Sequence, residues 1–409
     1  MKNEAKIKKC IFCNSEKVEE VLRLNKVSIA TKFFNKPKVL SPKYPLGVSL
    51  CKKCLYIQNT ELINPSLIFN KNYNYYSNSA LTFLKHLKKE SVFIKKRFNL
   101  NKNSKVLEVA SNDGSFQGLM QNLFINTLGV EPSKKHYLIA KKRGLKVYNS
   151  FFDTKLINKK KLSGLFDLVI MRNVISHTPK PFELLNNGKK VLAKNGAIIL
   201  ETVVQNFNFE SPYHGVYSYF SIYTLINLIT KAGLLINQIK IIESHGVTVR
   251  VILVKPNKPD DLKINQSFNK KFNFKKELNF NNIKIIKKFY QKSSKEINTF
   301  KSKFKKIQKF ASLNKMEITG YGAAGRTYTY LSVLGSAAKS FNYICDINKN
   351  KWNKYFANSN LIIKNPKILE GKKNSIIIVF TWNFFIEIKK YLKKINYQGK
   401  IINIKELLE

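Results

Sequence analysis

Two pairs of cysteines constrain the first part of the chain more than any other feature. Cys10-Ile-Phe-Cys13 and Cys51-Lys-Lys-Cys54 each allow a tight turn to present two thiolates to one metal ion. Four thiolates close a tetrahedral zinc site and leave no open position for catalysis. Since the 409-residue chain has only 5 Cys, a disulfide scaffold is not expected. The sequence therefore predicts a structural zinc site that organises an N-terminal module, residues 1–90, whereas Cys345 lies in an apolar run and is expected to be inert.

The pattern changes after about residue 91, where apolar runs of strand length begin to alternate with helical patterns. Strands that are joined by crossover helices form a parallel sheet. Two closing strands suit the doubly wound α/β variant that ends in antiparallel strands. The predicted strands of residues 91–256 are 105–110, 126–131, 145–151, 166–173, 196–202, 239–244 and 247–254.

Residues 257–409 form a second predicted α/β domain. Its first part, 257–280, is polar and contains proline, which is typical of a linker. A long amphipathic helix follows, with apolar residues at helical spacing, and a strand and helix alternation begins at Glu317. The apolar positions of the predicted helix are Ile286, Phe289, Ile297, Phe300, Phe304 and Ile307.

A small-residue turn after the first central strand predicts a cofactor site. Glu108 lies near the end of this strand, and the turn leads through Asn112 into a helix. A carboxylate suits the ammonium group of S-adenosylmethionine, and backbone N–H groups of such a turn suit its carboxylate. Glu131 ends the next strand, where it can accept hydrogen bonds from both ribose hydroxyls. Ala110 and Asn112 replace glycines that are usual in this loop. The predicted cofactor-binding residues are Glu108, Ala110, Asn112, Asp113, Gly114, Glu131, Pro132 and Asn173.

Two further groups of residues follow predicted strands. Asn173 and His177 end the fourth central strand, and ligands bind outside the carboxyl ends of parallel strands. In the second unit, the segment from Gly320 to Gly325, with Asp346 after the next strand, also fits the dinucleotide fingerprint. Because the central domain supplies a better cofactor site, we interpret these glycines as a backbone platform for substrate phosphates. Close packing of a helix on a strand is the alternative explanation.

The charge and hydropathy of the chain bear on its partners. The net charge is +48, but lysine is spread over every part of the sequence, whereas a nucleic-acid surface is usually a local patch. We therefore do not expect nucleic-acid binding, although an acidic small molecule would benefit from this field. No apolar run is long enough for a membrane span, so a cytoplasmic protein is expected. The sequence leaves open whether it is a monomer or a dimer.

From Cys10 to about Ile404 the chain resembles the three-domain sugar C-methyltransferases, which alkylate a ring carbon of a nucleotide-linked keto sugar. The resemblance rests on ordered motifs spread over all three predicted domains. These are the four cysteines, Tyr73-Asn-Tyr75-Tyr76-Ser77-Asn-Ser79, His86, Val106 to Phe116, Gly129 to Ser133, Asn173 to His177, Glu201, Tyr213-His214, Ser218 to Ser221, His245-Gly246, Arg250, Gly320 to Ala324 and Trp382-Asn383.

This resemblance implies a zinc-binding module, a Rossmann-like class I methyltransferase domain, a second Rossmann-like α/β domain, and S-adenosylmethionine and structural Zn²⁺ as cofactors. It also implies that several tyrosines and histidines surround the acceptor atom of a nucleotide-sugar substrate. The predicted catalytic residues are His214, His177, Tyr213 and Tyr76. The predicted substrate-binding residues are Tyr75, Tyr219, His245, Arg250, Gly320, Gly322, Trp382 and Asn383.

One departure from the family falls beside the predicted catalytic residues. Family members have Tyr-His-Glu-His where this chain has Tyr213-His214-Gly215-Val216, and neither Gly215 nor Val216 can move a proton. Methyl transfer to carbon needs a base within about 3 Å of the C–H bond, whereas an oxygen or nitrogen acceptor already offers a lone pair. Three interpretations stay open at this point. His214 or His177 acts as the base, the acceptor is a hydroxyl group, or the protein binds without catalysis. A tRNA or rRNA methyltransferase is a contrasting hypothesis.

Overall fold

The computed structural model describes three units in the predicted order, each with its own β-sheet. Elements are numbered along the chain within the described residues. These are residues 4–30, 32–70, 72–77, 81–204, 209, 211–243, 247–257 and 281–409.

The N-terminal unit is built from antiparallel strands. β2, β4 and β5 form a sheet that β12 of the central unit extends, in the order β12-β5-β4-β2. The paired cysteines lie at its end, because Cys51 is the last residue of β4. Its elements are β1 (Glu4–Lys6), β2 (Val18–Ser28), β3 (Phe33–Phe34), β4 (Lys43–Cys51), β5 (Ile57–Asn59), β6 (Glu61–Ile63) and the short helix α1 (Pro65–Ile68).

The central unit is a seven-stranded sheet in the order β13-β14-β11-β10-β7-β8-β9. The five strands from β11 to β9 are parallel, and β13 and β14 close the edge in antiparallel fashion. This confirms the expected class I methyltransferase arrangement. Its elements are α2 (Leu81–Arg97), β7 (Lys105–Val109), α3 (Ser115–Gln121), β8 (Asn126–Val130), α4 (Lys134–Lys142), β9 (Val147–Tyr148), α5 (Thr154–Lys159), β10 (Phe166–Arg172), α6 (Pro181–Val191), β11 (Leu192–Val203), β12 (Ser218–Tyr219), α7 (Ile222–Lys231), β13 (Leu235–Glu243) and β14 (Val247–Val254).

The C-terminal unit is a parallel five-stranded sheet in the order β18-β16-β15-β19-β20. The predicted amphipathic helix is present as α8 and packs on this sheet through its apolar face. The predicted linker at 257–280 lies, apart from its first residue, outside the described residues. The elements are α8 (Ile283–Leu313), β15 (Glu317–Tyr321), α9 (Gly325–Leu334), β16 (Phe341–Cys345), β17 (Tyr355–Phe356), β18 (Ile363–Lys364), β19 (Ser375–Val379), α10 (Phe385–Lys394) and β20 (Lys400–Asn403).

Short strand pairs join the N-terminal unit to both of the others. β12 pairs with β5, and β17 of the C-terminal unit pairs with β3. Thr329 of α9 also donates a hydrogen bond to the carbonyl oxygen of Pro212 in the central unit, at 2.6 Å. Backbone pairing fixes register as well as distance, so these contacts hold the three units in a defined arrangement.

Among the helices of the described ranges, none combines the length and apolar character needed to cross a bilayer.

The core of the C-terminal unit predicts a large difference between two phenylalanines of α8. Phe304 is fully buried and stacks on Phe341 with ring centroids 5.3 Å apart, whereas Phe310 is 47% exposed. We expect Phe304→Ala to cost about 3–5 kcal/mol of unfolding free energy and Phe310→Ala about 1 kcal/mol or less. Urea unfolding followed by tryptophan fluorescence measures both, because both tryptophans of the chain lie in this unit. Equal losses would contradict this packing.

Candidate active site

A cavity of ≈ 770 Å³ lies where all three units meet. In each parallel sheet, strand order reverses between two neighbouring strands, at β7 and β10 in the central unit and at β15 and β19 in the C-terminal unit. Ligands of doubly wound sheets bind outside the carboxyl ends of strands at such reversals. The residues that follow β7, β10 and β19 line the cavity, and the N-terminal unit adds the stretch around α1. One cavity therefore joins the binding edges of both Rossmann-like sheets.

The central-unit half of the cavity contains the carboxylates that the sequence predicts for the cofactor. Glu108 and Glu131 both line it and are 6% and 4% exposed. Glu131 accepts hydrogen bonds from the backbone N–H groups of Asn112 at 2.9 Å and Ser133 at 2.7 Å. A carboxylate has about four lone-pair positions, so Glu131 can still accept two ribose hydroxyls.

Among the described residues, the buried oxygen atoms in this half without a hydrogen-bond partner include two that belong to predicted cofactor-binding residues. They are Glu108 Oε2 and Asn173 Oδ1. Both residues line the cavity, as do Ala110, Asn112 and Pro132. A buried acceptor without a partner is costly, and the ammonium group and hydroxyls of S-adenosylmethionine are donors that could satisfy it. The residues present therefore fit this cofactor.

Burial makes Glu108 and Glu131 weaker acids than an exposed glutamate. It raises the pKa of Glu108 to about 8, against the opposing effect of the Arg172 guanidinium. Burial likewise raises the pKa of Glu131 to about 7, although the two backbone N–H groups lower it. A cationic ligand beside Glu108 would compensate its charge and favour the ionised form.

Arg172 belongs to a buried chain of alternating acidic and basic side chains that crosses the sheet. Its Nη1 lies 3.6 Å from Glu108, and its Nε donates to Glu201 at 2.7 Å. Arg250 Nε donates to the other oxygen of Glu201 at 2.8 Å and its guanidinium also pairs with Glu90 of α2. This placement corrects the prediction that Arg250 binds substrate, because two buried carboxylates already hold it.

The acceptor half of the cavity is aromatic. Tyr73, Tyr75 and Tyr213 line it together with His177. Burial raises the pKa of Tyr213, so its hydroxyl remains a hydrogen-bond donor at neutral pH. Gly325 at the start of α9 leaves room for this ring, since a Cβ there would lie 3.1 Å from Tyr213.

His177 has the geometry of a neutral base. Its Nδ1 lies 2.5 Å from the carbonyl oxygen of Gly215. A carbonyl oxygen can only accept, so Nδ1 must donate, which leaves the lone pair on Nε2. Burial lowers the pKa of His177, against the effect of the Gly215 carbonyl, and keeps the ring neutral at physiological pH.

His214 is a weaker candidate than the sequence suggests. It touches the cavity, but the side chain is only 3% exposed. Its Nε2 lies 3.2 Å from the carbonyl oxygen of Pro45, and its ring packs edge-on against Tyr44. Its Nδ1 is buried with no partner among the described residues. The ring therefore joins the central unit to β4 rather than opening toward an acceptor.

Several predicted residues of the central unit lie behind the cavity wall. Tyr76 is 4% exposed and packs on His136 with ring centroids 4.6 Å apart. Tyr219 is in β12, where its hydroxyl donates to Asn59 at 2.5 Å. Asp113 accepts hydrogen bonds from Ser115 and thereby caps α3. None of these residues lines the cavity, so the structure does not place them against cofactor or acceptor.

Gly114 also has a structural role. Its φ is +72°, and a Cβ would lie 2.3 Å from Leu145. Only glycine adopts this conformation without a penalty in such tight surroundings. The residue thus allows α3 to start close to α4, and it does not line the cavity.

The glycine loop after β15 is not a phosphate platform in this structure. The backbone N–H groups of Gly322, Ala323 and Ala324 donate to Cys345, Asp346 and Thr327. A Cβ at Gly320 would lie 2.7 Å from Phe380, and one at Gly322 would lie 2.6 Å from Thr381. Close packing therefore explains these glycines, as the alternative explanation held.

Asp346 excludes the dinucleotide interpretation for the same reason. Its carboxylate accepts from Ala323 N–H at 2.8 Å and from Lys351 Nζ at 2.9 Å. Unlike Glu131, Asp346 also does not line the cavity, so it is not presented there to a ribose hydroxyl.

Other residues of the C-terminal unit do reach the cavity. Asn383, a predicted substrate-binding residue, lines it, and so does Arg326, which the sequence did not predict. Trp382 does not, because the guanidinium of Arg326 and the ammonium of Lys405 lie over its ring. The signal for Arg326 was its position directly after the glycine loop, where a helix begins. His245 lies outside the described residues.

The four paired cysteines come together as predicted. Their sulfur atoms all lie within 4.8 Å of one another, and two cross-pair distances are 3.6 Å. A tetrahedron with Zn–S bonds of about 2.3 Å has edges of about 3.8 Å. The cluster therefore has the dimensions of a closed zinc site.

Comparisons with known proteins agree with this arrangement. Three family models match in order, those of a zinc binding domain at residues 10–69, a methyltransferase domain at 83–239 and a C-methyltransferase C-terminal domain at 243–404. The C-methyltransferase NovU of Streptomyces niveus is 22% identical over 351 residues, which cover 84% of this chain and 82% of NovU.

Similar solved structures include a SAM dependent methyltransferase from Archaeoglobus fulgidus, 13% identical, which covers 41% of this chain and 93% of its own with a TM-score of 0.34. Another is magnesium protoporphyrin IX methyltransferase from Synechocystis PCC 6803 with bound SAM, 13% identical, which covers 43% of this chain and 81% of its own with a TM-score of 0.34.

The family matches and the fold together define an S-adenosylmethionine-dependent methyltransferase. More particularly, the chain has the three-domain arrangement of the C-methyltransferases, with a zinc binding domain at its N-terminal end.

The cysteine cluster predicts the metal content of the protein. We expect the purified chain to hold a single zinc ion, and Cys51→Ser to lose it together with thermal stability, because zinc binding stabilises the fold of small modules. Metal analysis of the released zinc measures this. Cys345→Ala is the matched control, since Cys345 is a buried cysteine of the other sheet. Equal zinc in both variants would contradict the site.

The burial of Glu108 predicts that its replacement has opposite effects on the stability of the protein and on cofactor binding. A carboxyl group whose pKa is raised on folding, here to about 8, loses stabilisation as pH rises from its unfolded pKa toward that value. Glu108→Gln should therefore be more stable than the wild type at pH 8, on the order of 4 kcal/mol, and about equally stable near pH 4. The same change should weaken S-adenosylhomocysteine binding about tenfold or more, as loss of a charged hydrogen bond.

Thermal unfolding at several pH values and calorimetric titration test both parts. Glu16→Gln at an exposed site is the control for charge removal alone. If the stability difference between Glu108→Gln and the wild type does not grow with pH, burial does not raise the pKa of Glu108.

Proposed function

We propose that the protein transfers the methyl group of S-adenosylmethionine to a carbon atom of a nucleotide-linked keto sugar. The observation that carries this proposal is the single cavity shared by the two sheets. A cofactor held at Glu108 and Glu131 would direct its methyl group into the aromatic half, while the C-terminal sheet edge offers Arg326 and Asn383 to the remainder of the acceptor. NovU, the C-methyltransferase relative, covers most of both domains.

Arg326 supports a phosphate-bearing acceptor. Arg326 is the second residue of α9 and lines the cavity, and its guanidinium carbon lies 5.4 Å from the centroid of the Trp382 ring. Guanidinium groups bind phosphate oxygens in a bidentate manner, and a helix N-terminus favours negative charge. A nucleoside diphosphate would also be attracted by the strongly basic chain.

His177 is the proposed general base. Methylation of carbon requires removal of a proton next to the ketone, and the neutral Nε2 of His177 can accept it. Tyr213 lies beside it, with ring centroids 6.5 Å apart, and can donate a hydrogen bond to the developing enolate oxygen. A bound S-adenosylmethionine would supply the methyl group to the enolate carbon, with its methyl–sulfur bond broken and S-adenosylhomocysteine released. We assign Cys10, Cys13, Cys51 and Cys54 to a structural zinc ion that takes no part in this step.

Deuterium exchange tests the function and separates carbon from oxygen methylation. In D2O, the enzyme with S-adenosylhomocysteine and a thymidine-diphosphate-linked 4-keto sugar should introduce deuterium next to the ketone, because the base acts before methyl transfer. With S-adenosylmethionine, mass spectrometry should show the sugar nucleotide enlarged by one methylene group. Methylation without deuterium exchange would favour the alternative, an O-methyltransferase. This alternative is considered because neither Gly215 nor Val216 carries an acid or a base.

His177→Gln should reduce deuterium incorporation by at least about 100-fold, the usual contribution of a general base, and leave S-adenosylhomocysteine affinity unchanged. Because the pKa of His177 is lowered by burial, wild-type exchange should persist below the usual histidine pKa of about 6.5 and fall only at lower pH. Loss of exchange in His214→Gln with retention in His177→Gln would assign the base to His214 instead.

A further inference from the structure

Asn112 stands in the cofactor loop between β7 and α3, at one of the positions where glycine is usual. Its φ is +53°, in the left-handed region, and the residue is 9% exposed. Asparagine tolerates this conformation better than most residues but has no steric advantage over glycine there. Its presence therefore calls for a role of the side chain.

The side-chain amide of Asn112 makes three hydrogen bonds. Oδ1 accepts hydrogen bonds from the backbone N–H groups of Ser77 at 3.1 Å and Asp113 at 2.9 Å. Nδ2 donates to the carbonyl oxygen of Tyr75 at 3.1 Å. The backbone N–H of the same residue donates to Glu131, the proposed ribose ligand. One residue thus connects the cofactor loop, Glu131 and residues 75–77.

The stretch 72–77, here called the aromatic segment, has no helix or strand of its own beyond a short turn. Tyr73, Tyr75 and Ser77 of this segment line the acceptor half of the cavity. Lys135 of α4 donates to Asn74 at 3.0 Å, so a second contact comes from the residues that follow Glu131. The wall of the acceptor chamber is therefore attached both to the cofactor loop, through Asn112, and to α4, which follows Glu131.

We propose that Asn112 is a positioning residue that couples cofactor binding to the order of the aromatic segment, and hence to the shape of the acceptor chamber. The proposal rests on the function proposed above. Ribose hydroxyls bound to Glu131 would fix its carboxylate, which accepts the backbone N–H of Asn112. A fixed Asn112 would in turn hold Tyr75 and Ser77 in place through the hydrogen bonds of its side-chain amide. Each hydrogen bond contributes only about 1 kcal/mol net, so the loss of one of them loosens the segment without unfolding the domain. A first ligand that orders the segment lowers the entropic cost for the second.

Hydrogen exchange of the full-length protein tests this coupling, with S-adenosylhomocysteine as the probe. The backbone N–H of Ser77 is a direct reporter, because it donates to Asn112. In the wild type, the probe should slow exchange in the peptide that covers Tyr73 to Ser77. In Asn112→Gly, exchange at Ser77 should be about tenfold faster, as expected for loss of one hydrogen bond, and the probe should no longer slow it.

Glycine retains the backbone N–H and the left-handed φ, and exchange in Asn112→Gly is measured at a probe concentration that calorimetry shows to be saturating for this variant. Asn396→Gly is the matched control, since Asn396 has the same φ of +53° on an exposed turn after α10. That control should exchange at Ser77 like the wild type, with and without the probe.

The outcomes separate the two proposals. A probe that binds but still slows exchange at Ser77 in Asn112→Gly would overturn the coupling and leave the cofactor site intact. A probe that binds without slowing exchange in the wild type would also overturn it, and this measurement needs no variant to fold. No binding of the probe to the wild type would overturn the cofactor site itself, and with it the role of Asn112.

Discussion

The buried chain of alternating charges from Glu90 through Arg250, Glu201 and Arg172 to Glu108 is the interaction on which the site depends. It runs across the centre of the sheet, from α2 to the cofactor edge, and its arginines are 7% exposed in their side chains. Removal of Arg250, Glu201 or Arg172 from such a chain leaves an uncompensated charge in the interior, which is strongly unfavourable. Glu108 at the end of the chain differs, because burial raises its pKa to about 8. The chain has one more carboxylate than guanidinium groups. Its end at Glu108 is therefore the place where a cationic ligand completes the alternation, and the fold positions that end at the cavity.

The second condition of the site is the attachment of the N-terminal unit to both sheets. β5 and β3 pair with strands of different units, and the sulfur cluster lies at the end of β4. The four cysteines do not line the cavity. The N-terminal unit still shapes it, because α1 and its neighbours form part of the cavity wall. A closed thiolate site suits this purpose, since it stabilises a small unit that has little core of its own.

Periodicity and motif position predicted most of the fold and half of the site. Strand-length apolar runs gave both sheets, and Glu108 and Glu131 reach the cavity because strand ends are fixed once the sheet is known. The failures have a common cause. Gly320, Gly322, Arg250 and Tyr219 matched a motif, yet their roles depend on neighbours distant in sequence, such as Phe380, Glu90 and Asn59. Arg326 was missed for the converse reason, because its significance depends on the cavity and not on its own segment.

The glycine that replaces a family glutamate gains a different function in this chain. Gly215 has a φ of +105°, which favours glycine, and a Cβ there would approach Ile68 to 3.2 Å. The backbone at this position could not accept a glutamate without moving that side chain. What Gly215 offers is its carbonyl oxygen, which fixes the tautomer of His177. The carbonyl oxygen of Gly215 thus orients the ring of His177, the base proposed above, and the absence of the family glutamate does not by itself imply a lost reaction.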